Sequence, residues 1–339
     1  MWRFGHRNRG SGSVVIADIG SLLMNITKDL LHQIHDRTLS FEERSIARCK
    51  LAKQFAEAGN YEAAREAMGD LWTCIGAVPN VEGLTESARA EVLLTAGSLT
   101  GWLGSTKQIE GAQQAAKDQI GESIRIFESL HEVKKVAEAQ IEMAVCYRRE
   151  GALDTARAWF REALSRVDDR DGDLKAVALL QSAVLEKLAG RLNDALNLLR
   201  PAESLIAASI NHILKGRFHN AFANVHRDLG EIESRTDYVD RALIEYAAAS
   251  VHFQEAGRDR DQACVENNLA MLLFKLGRLE DAYQHLDRAD ILFTTLGDVA
   301  HQAQVAETRA QFMLAEGAVV QAERSARRAV QLLEGLCNC

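Results

Sequence analysis

The sequence predicts an all-α solenoid of about seven helix-turn-helix units, each of about 40 residues. Three observations carry this expectation. A glycine that closes one apolar helical pattern is followed five residues on by an alanine inside the next, at Gly59/Ala64, Gly151/Ala156, Gly190/Ala195, Gly277/Ala282 and Gly317/Ala322. A stretched version, with the alanine twelve residues on, occurs at Gly104/Ala116 and Gly230/Ala242. From Ala116 the alanines fall at 116, 156, 195, 242, 282 and 322, so the period is close to 40 residues once the stretched copy is allowed for. A period in that range is the signature of stacked supersecondary units. Only two prolines in 339 residues, with 6% aromatics, favour closely packed helices over sheets. Because each unit of such an array packs on its neighbours, the length does not argue for two globular domains.

Taken in order, residues 1–12 read as a disordered basic arm and 13–40 as an N-terminal capping helix, with the solenoid spanning 41–339. The apolar stretch SVVIADIGSLLMNI imitates a secretion signal, but Asp18 interrupts it and no small-residue cleavage site follows. The lead unit is IARCKLAKQFAEAG followed by NYEAAREAMGDLW. Leu51, Ala52 and Phe55 make one apolar face, Gly59 ends the helix, and Tyr61, Ala64, Met68 and Leu71 make the facing one. Ala52 and Ala64 mark the closest crossing, where a larger side chain would push the axes beyond their usual spacing of about 8–10 Å. The same order recurs in IEMAVCYRREGALDTARAWFREAL, NNLAMLLFKLGRLEDAYQHLDRA and ETRAQFMLAEGAVVQAERSARRA.

A second layer of repetition lies beneath the first. Gly104/Gly230, Ala116/Ala242, Phe127/Phe253, Ala144/Ala270, Gly151/Gly277 and Ala163/Ala289 are each 126 residues apart, and both stretched units carry the same insertion. The chain therefore reads as one lead repeat and two three-repeat blocks, about 92–217 and 218–339. Pro201 violates the pattern: inside a second helix it removes a backbone hydrogen bond and clashes with the preceding turn at about 3 kcal/mol, so a kink or an early helix end is expected there.

Composition excludes several functions. A net charge of -8 argues against sequence-independent nucleic-acid binding, which needs a surplus of Lys and Arg. No run approaches the length of a membrane span. Six cysteines are scattered, three of them inside apolar helical patterns, as expected of free thiols in a reducing, cytoplasmic compartment. Cys337 and Cys339 form a C-x-C with too few ligands for a metal site. His212, His219 and His226 are spaced by seven along one helix face. Neighbours lie about 10 Å apart, too far to share a metal, so packing between helices is the expectation. The loop DDRDGDLK at 168–175 departs from a calcium loop, with its glycine out of place and Leu180 where a bidentate Glu is needed, and reads as a solvated connector. No phosphate-loop, nucleophile-elbow or zinc-protease motif is present, so no catalytic residue, cofactor or metal is assigned and the chain is not read as an enzyme.

The order small residue, aromatic, Gly, bulky, Ala, aromatic, Ala resembles the tetratricopeptide repeat over roughly 41–335. The units are longer than the minimal family repeat, through segments such as LHEVKKVAEA and LGDVAHQAQV, and that form resembles the repeats of kinesin light chains and of bacterial regulator sensor arrays. The resemblance implies a right-handed superhelix whose first helices line a concave groove. Mapped onto this chain, that face carries Arg148, Arg149, Lys187, Asn220, Asn224, Arg227, Asn267, Asn268, Met271 and Lys275, followed by Glu307 and Gln311. Amides there can clamp the backbone of an extended peptide, and the basic residues can receive a carboxylate. The function implied is a scaffold that binds a protein or peptide segment in its groove. The alternative is the sensory region of a bacterial signalling or transcriptional regulator whose output domain is on other sequence. The last helix carries Val319, Ala322, Ala326, Ala329, Val330, Leu332 and Leu333 on more than one face, which points to self-association through that flank.

Overall fold

The structure, a computed structural model, describes residues 27–337. The expected arm at 1–12 and the first half of the 13–40 cap lie outside the described residues. Residues 27–35 are helical, and Leu30 and Ile34 are buried against Ala47, Leu51 and Leu71. Fourteen further helices follow among the described residues: α1 (Phe41–Glu57), α2 (Tyr61–Met68), α3 (Glu86–Thr106), α4 (Ala112–Ser129), α5 (Val133–Arg149), α6 (Leu153–Ser165), α7 (Gly172–Leu188), α8 (Leu192–Ala208), α9 (His212–Glu233), α10 (Thr236–Glu255), α11 (Asp259–Lys275), α12 (Leu279–Thr295), α13 (Val299–Ala315) and α14 (Val319–Cys337). There is no strand among the described residues.

The helices form two compact units, one up to Ala189 and one from Gly190. In the first, α1/α2, α3/α4 and α5/α6 are hairpins. Each second helix packs on the next first helix, and the successive first helices α1, α3, α5 and α7 touch one another. In the second unit α9/α10, α11/α12 and α13/α14 repeat the arrangement, with α8 against α9.

Local chemistry sets the helix ends. Ser40 accepts from the Glu43 N–H while the Glu43 carboxylate accepts from the Ser40 N–H at 2.8 Å, a reciprocal cap that starts α1. At its other end the Asn60 N–H donates to the Phe55 carbonyl at 2.8 Å and the Gly59 N–H to Ala56 at 2.9 Å, a closure that needs a left-handed residue at 59. The same pair of bonds recurs at Tyr147/Ala152, Leu273/Arg278 and Met313/Ala318. Gly59, Gly151, Gly190, Gly277 and Gly317 accordingly take φ between 73° and 80°. The alanines of the motif are the crossing points: Ala64, Ala116, Ala156, Ala195, Ala242 and Ala282 are 0% exposed and Ala322 is 6%.

The two stretched copies work differently from the expectation. Gly104 and Gly230 do not close helices; both lie inside them, in α3 and α9. They are close-approach points instead. A Cβ at position 104 would lie 2.2 Å from the Ala112 Cβ, and one at 230 would lie 2.8 Å from Val239 Cγ2. The chain reverses later, through Gln108 and Gly111 in the first case and Ser234 in the second, all at positive φ.

Of the kink or early helix end expected at Pro201, the early end does not occur, because α8 continues through it to Ala208. Pro201 and Asn197, whose carbonyl loses its helical partner, are both exposed, so water takes the missing bond. Of the 168–175 segment, Asp169–Asp171 form a 3-10 turn in the connector and 172–175 are already the first turn of α7. Three of its carboxylates are occupied by cations: Arg170 on Asp168, Lys134 on Asp171 and Lys175 on Asp169. Cys49 and Cys146 are buried free thiols, and burial pushes the Cys49 pKa up to about 12. Cys339 lies outside the described residues.

Candidate functional site

In the first unit the face shared by the first helices is paved with charge. Lys53 on α1 reaches Glu91 on α3 at 2.5 Å and Glu138 on α5 at 2.6 Å, and Lys135 pairs with both carboxylates at 3.0 Å. Burial works against the Lys53 ammonium, but Glu138 and Glu91 outweigh it and raise its pKa. Burial likewise opposes the Glu138 carboxylate, and Lys53 and Lys135 reverse the sign and lower its pKa. This set is balanced, with two cations and two anions.

One turn further along α5 the balance is lost. Arg148 and Arg149 share their surroundings with a single carboxylate, Glu142, which hydrogen-bonds Ser98 on α3. Burial raises the Glu142 pKa despite Arg149 and Ser98. Burial and the neighbouring Arg149 hold Arg148 down to about 10, with Glu142 opposing, and burial lowers Arg149 as well. All three residues are half-buried, and they set two positive charges against one carboxylate. The Arg149 guanidinium lies 3.8 Å over the Trp102 ring, and Trp102 stacks on Tyr61 at 4.8 Å. Arg149 Nη2 is buried without a hydrogen-bond partner. Gly101 makes this approach possible, since a Cβ there would lie 3.3 Å from Arg149 Nη1. Lys187 is half-buried in the last turn of α7.

In the second unit the expected residues divide into a wired set and an unwired one. The Asn224 amide donates to the Asn220 carbonyl at 2.8 Å and accepts from the Tyr246 hydroxyl at 2.9 Å. Arg227 donates to the same hydroxyl at 3.0 Å and to the Asp228 carboxylate at 2.8 Å. Tyr246 is fully buried, and burial, offset in part by Arg227, pushes its pKa up to about 12. On α11, by contrast, Asn267 is 5% exposed and its Oδ1 has no partner. Asn268 and Met271 are half-buried, and Met271 packs on the core of this unit. Lys275 is exposed and pairs with Glu231 on α9 at 2.5 Å.

Sequence reasoning missed Glu142, Ser98, Trp102 and the Lys53/Glu91/Glu138/Lys135 set, because each joins residues from different repeats. It also missed Tyr246, since an aromatic at helical spacing signals core and this one is core and hydrogen-bond hub together. His219, expected to pack, donates from Nδ1 to the Glu245 carboxylate at 2.6 Å and stacks on His252. His226 is packed against Phe222 and Tyr238 with both ring nitrogens buried and unpartnered. Burial lowers its pKa to about 4.

No protein-family model matches the chain, and no curated protein matches it. Among solved structures, the APC/C hetero-tetramer Cut9-Hcn1 is similar at 15% identity and a TM-score of 0.63, over 94% of this chain and 50% of that one. BtubC (BKLC) from P. vanneervenii is similar at 22% identity and a TM-score of 0.56, over 67% of this chain and 92% of that one. NprR in complex with its cognate peptide NprX is similar at 13% identity and a TM-score of 0.52, over 96% of this chain and 97% of that one. Identities this low make the likeness one of fold, and that fold is a tetratricopeptide-like repeat of helical hairpins.

Proposed function

We propose that the chain is a non-enzymatic binding module that holds an extended peptide on the face of its first helices, through an acidic side chain or a terminal carboxylate of the peptide. The observation that carries this is the imbalance at Arg148, Arg149 and Glu142, with Arg149 Nη2 buried and unpartnered. A carboxylate placed there completes a charge-assisted pair that the protein itself leaves incomplete. In the second unit Asn267 offers a buried acceptor for a peptide N–H. NprR, whose fold is similar, is seen with a peptide, which supports the same class of ligand. Lys187 in the first unit and, separately, Asn220, Asn224, Arg227, Asn268, Met271 and Lys275 in the second belong to this proposal. So do a cytoplasmic setting, supported by the buried free thiols Cys49 and Cys146, and the absence of a direct nucleic-acid or membrane partner. No helix among the described residues is long and apolar enough to cross a membrane. A second reading makes the chain the sensory region of a regulator, with the same site receiving the signal peptide.

Selection from a random peptide library on the immobilised chain tests the reading. Bound peptides enriched in Asp or Glu, or dependent on a free terminal carboxylate, support it, and Arg148→Ala with Arg149→Ala should weaken binding about tenfold or more. Peptides without acidic enrichment, or affinity unchanged in the double variant, overturn it. Self-association through α14 is also proposed. Val319, Val320, Val330 and Leu333 remain 48–61% exposed on that helix. Light scattering that finds a strict monomer at high concentration rejects it.

A further inference from the structure

The hairpin α9/α10 ends in a group of side chains that the peptide reading does not use. His212 is the first residue of α9, and His252 and Glu255 lie three residues apart in the last turn of α10, so the antiparallel pairing brings them together. The Nδ1 atoms of His212 and His252 face each other at 3.2 Å. The Glu255 Oε2 lies 2.6 Å from the first and 3.3 Å from the second. Each side chain keeps between 19% and 28% of its surface exposed, so the cluster is reachable from solvent. His219 stacks on His252 from one side with ring centroids 5.4 Å apart, and is itself held by Glu245 at 2.6 Å. Burial lowers the His252 pKa, with Glu255 opposing and His219 and His212 adding to the shift.

Two imidazole nitrogens converge on one carboxylate oxygen and on each other, which places three potential metal-ligand atoms within about 3.3 Å of one another. We propose that His212, His252 and Glu255 bind a divalent transition metal ion of the zinc class, as three protein ligands with a fourth position open to water. Ligand bonds near 2.0–2.1 Å in a tetrahedral shell put donor atoms roughly 3.3 Å apart. The His212–His252 and His252–Glu255 distances already have that value. Only the His212–Glu255 contact, at hydrogen-bond length, must open when the ion replaces the proton. Two imidazoles and one carboxylate suit zinc better than magnesium or calcium, which favour all-oxygen shells. His219, itself held by Glu245, stacks on the His252 ring from outside the shell and limits its rotation. The site belongs to this hairpin and not to the repeat in general, because the positions 126 residues earlier are Glu86, Ile126 and Ser129. It also departs from the expectation that no metal is bound, which followed from measuring histidines along one helix and not across two.

The test uses the full chain carrying Cys337→Ser and Cys339→Ser, so that the C-x-C cannot supply thiolates. After dialysis against a chelator, zinc chloride alone is titrated by calorimetry and by competition with a chromogenic chelator. One equivalent should bind, and cobalt in its place should give the visible absorption of a tetrahedral site. His212→Ala with His252→Ala should weaken binding by at least ~100-fold, and Glu255→Gln by ~10–100-fold, given that losing even an outer-shell partner costs ~10–100-fold. The single variant His212→Gln, at the exposed start of α9, serves if the double variant loses helicity by circular dichroism. Absence of zinc binding in the parent chain, or equal affinity after loss of His212, overturns the proposal. These outcomes are independent of peptide binding at Arg148 and Arg149.

Discussion

The hairpins α3/α4 and α9/α10 sit 126 residues apart in sequence, share their inserted segment, and solve the same packing problem with different chemistry. In both, a glycine marks a close approach, Gly104 on Ala112 and Gly230 on Val239, and a phenylalanine fills the far end, Phe127 at 1% and Phe253 at 2% exposure. Between these points they diverge. In α3 Gly97 receives Ile120, since a Cβ at 97 would lie 2.7 Å from Ile120 Cγ1. At the matching place in the second hairpin, Tyr246 replaces the isoleucine and its hydroxyl joins Asn224 to Arg227. Gly101 gives way to Arg227, so a guanidinium that the first hairpin borrows from Arg149 of the next helix pair is supplied in the second by its own first helix. The repeat thus keeps the sterics of the crossing and leaves the polar face free to vary, which is what a binding array requires of its scaffold.

The largest expected effect tests the shared sterics. Gly104→Ala places a methyl against the short, rigid Ala112 side chain and should cost about 3 kcal/mol by chemical denaturation, even after the intrinsic helix gain of alanine. Gly230→Ala meets a valine methyl that can rotate and should cost only about 1 kcal/mol. Equal losses would mean that the two glycines do not serve one crossing in the same way.

The next effect separates the hairpins by pH. Position 226 corresponds to 100, and both His226 and Thr100 are buried with unpartnered side-chain atoms, but only histidine titrates. The folded state holds His226 neutral down to about pH 4, whereas the unfolded chain protonates near 6.5. The unfolded state binds more protons between those values, so this stability is present above 6.5 and is lost as pH falls toward 4, on the order of 2 kcal/mol. His226→Phe should flatten that part of the stability profile, and Thr100→Val should shift stability without changing its slope. A slope that survives His226→Phe would assign the titration elsewhere.

How much of this was legible in the sequence follows from the range of each interaction. Gly59 and Ala64 act through bonds and contacts within one hairpin, so their spacing announces both helices and turn. Gly104 and Gly230 matched the same pattern for another reason, because a glycine at a helix end and a glycine at a crossing are the same letter. Pro201 read as a kink or a helix end, and the helix does not end there; its exposure, which leaves the freed Asn197 carbonyl open to solvent, is invisible in one dimension. Arg148, Arg149 and Asn267 are placed on the first helices by the resemblance to the repeat family. Their partners are not, since Glu142 with Ser98, Trp102 with Tyr61 and His212 with His252 join different helices, and no local periodicity encodes such pairs.

The smallest effect sharpens the comparison at its polar face, through the matched positions Ser98 and Asn224. Asn224 is the acceptor for the Tyr246 hydroxyl and ties the Asn220 carbonyl to it, so Asn224→Ala leaves a fully buried phenol with one fewer partner. That should cost about 1 kcal/mol of stability whether or not a ligand is present. Ser98 supports the Glu142 carboxylate, and Ser98→Ala should cost less, about 0.5 kcal/mol, while raising the Glu142 pKa further because a bond to its charged form is lost. Asn267→Ala differs from both. Its Oδ1 has no partner in the protein, so removal should leave the melting temperature within error and weaken peptide binding by about 1 kcal/mol if the peptide supplies that partner. Stability and affinity measured on the three variants therefore separate residues that hold the face together from the one whose buried acceptor the protein leaves unpaired. An Asn267→Ala variant that melts lower but binds as before would place Asn267 with the scaffold.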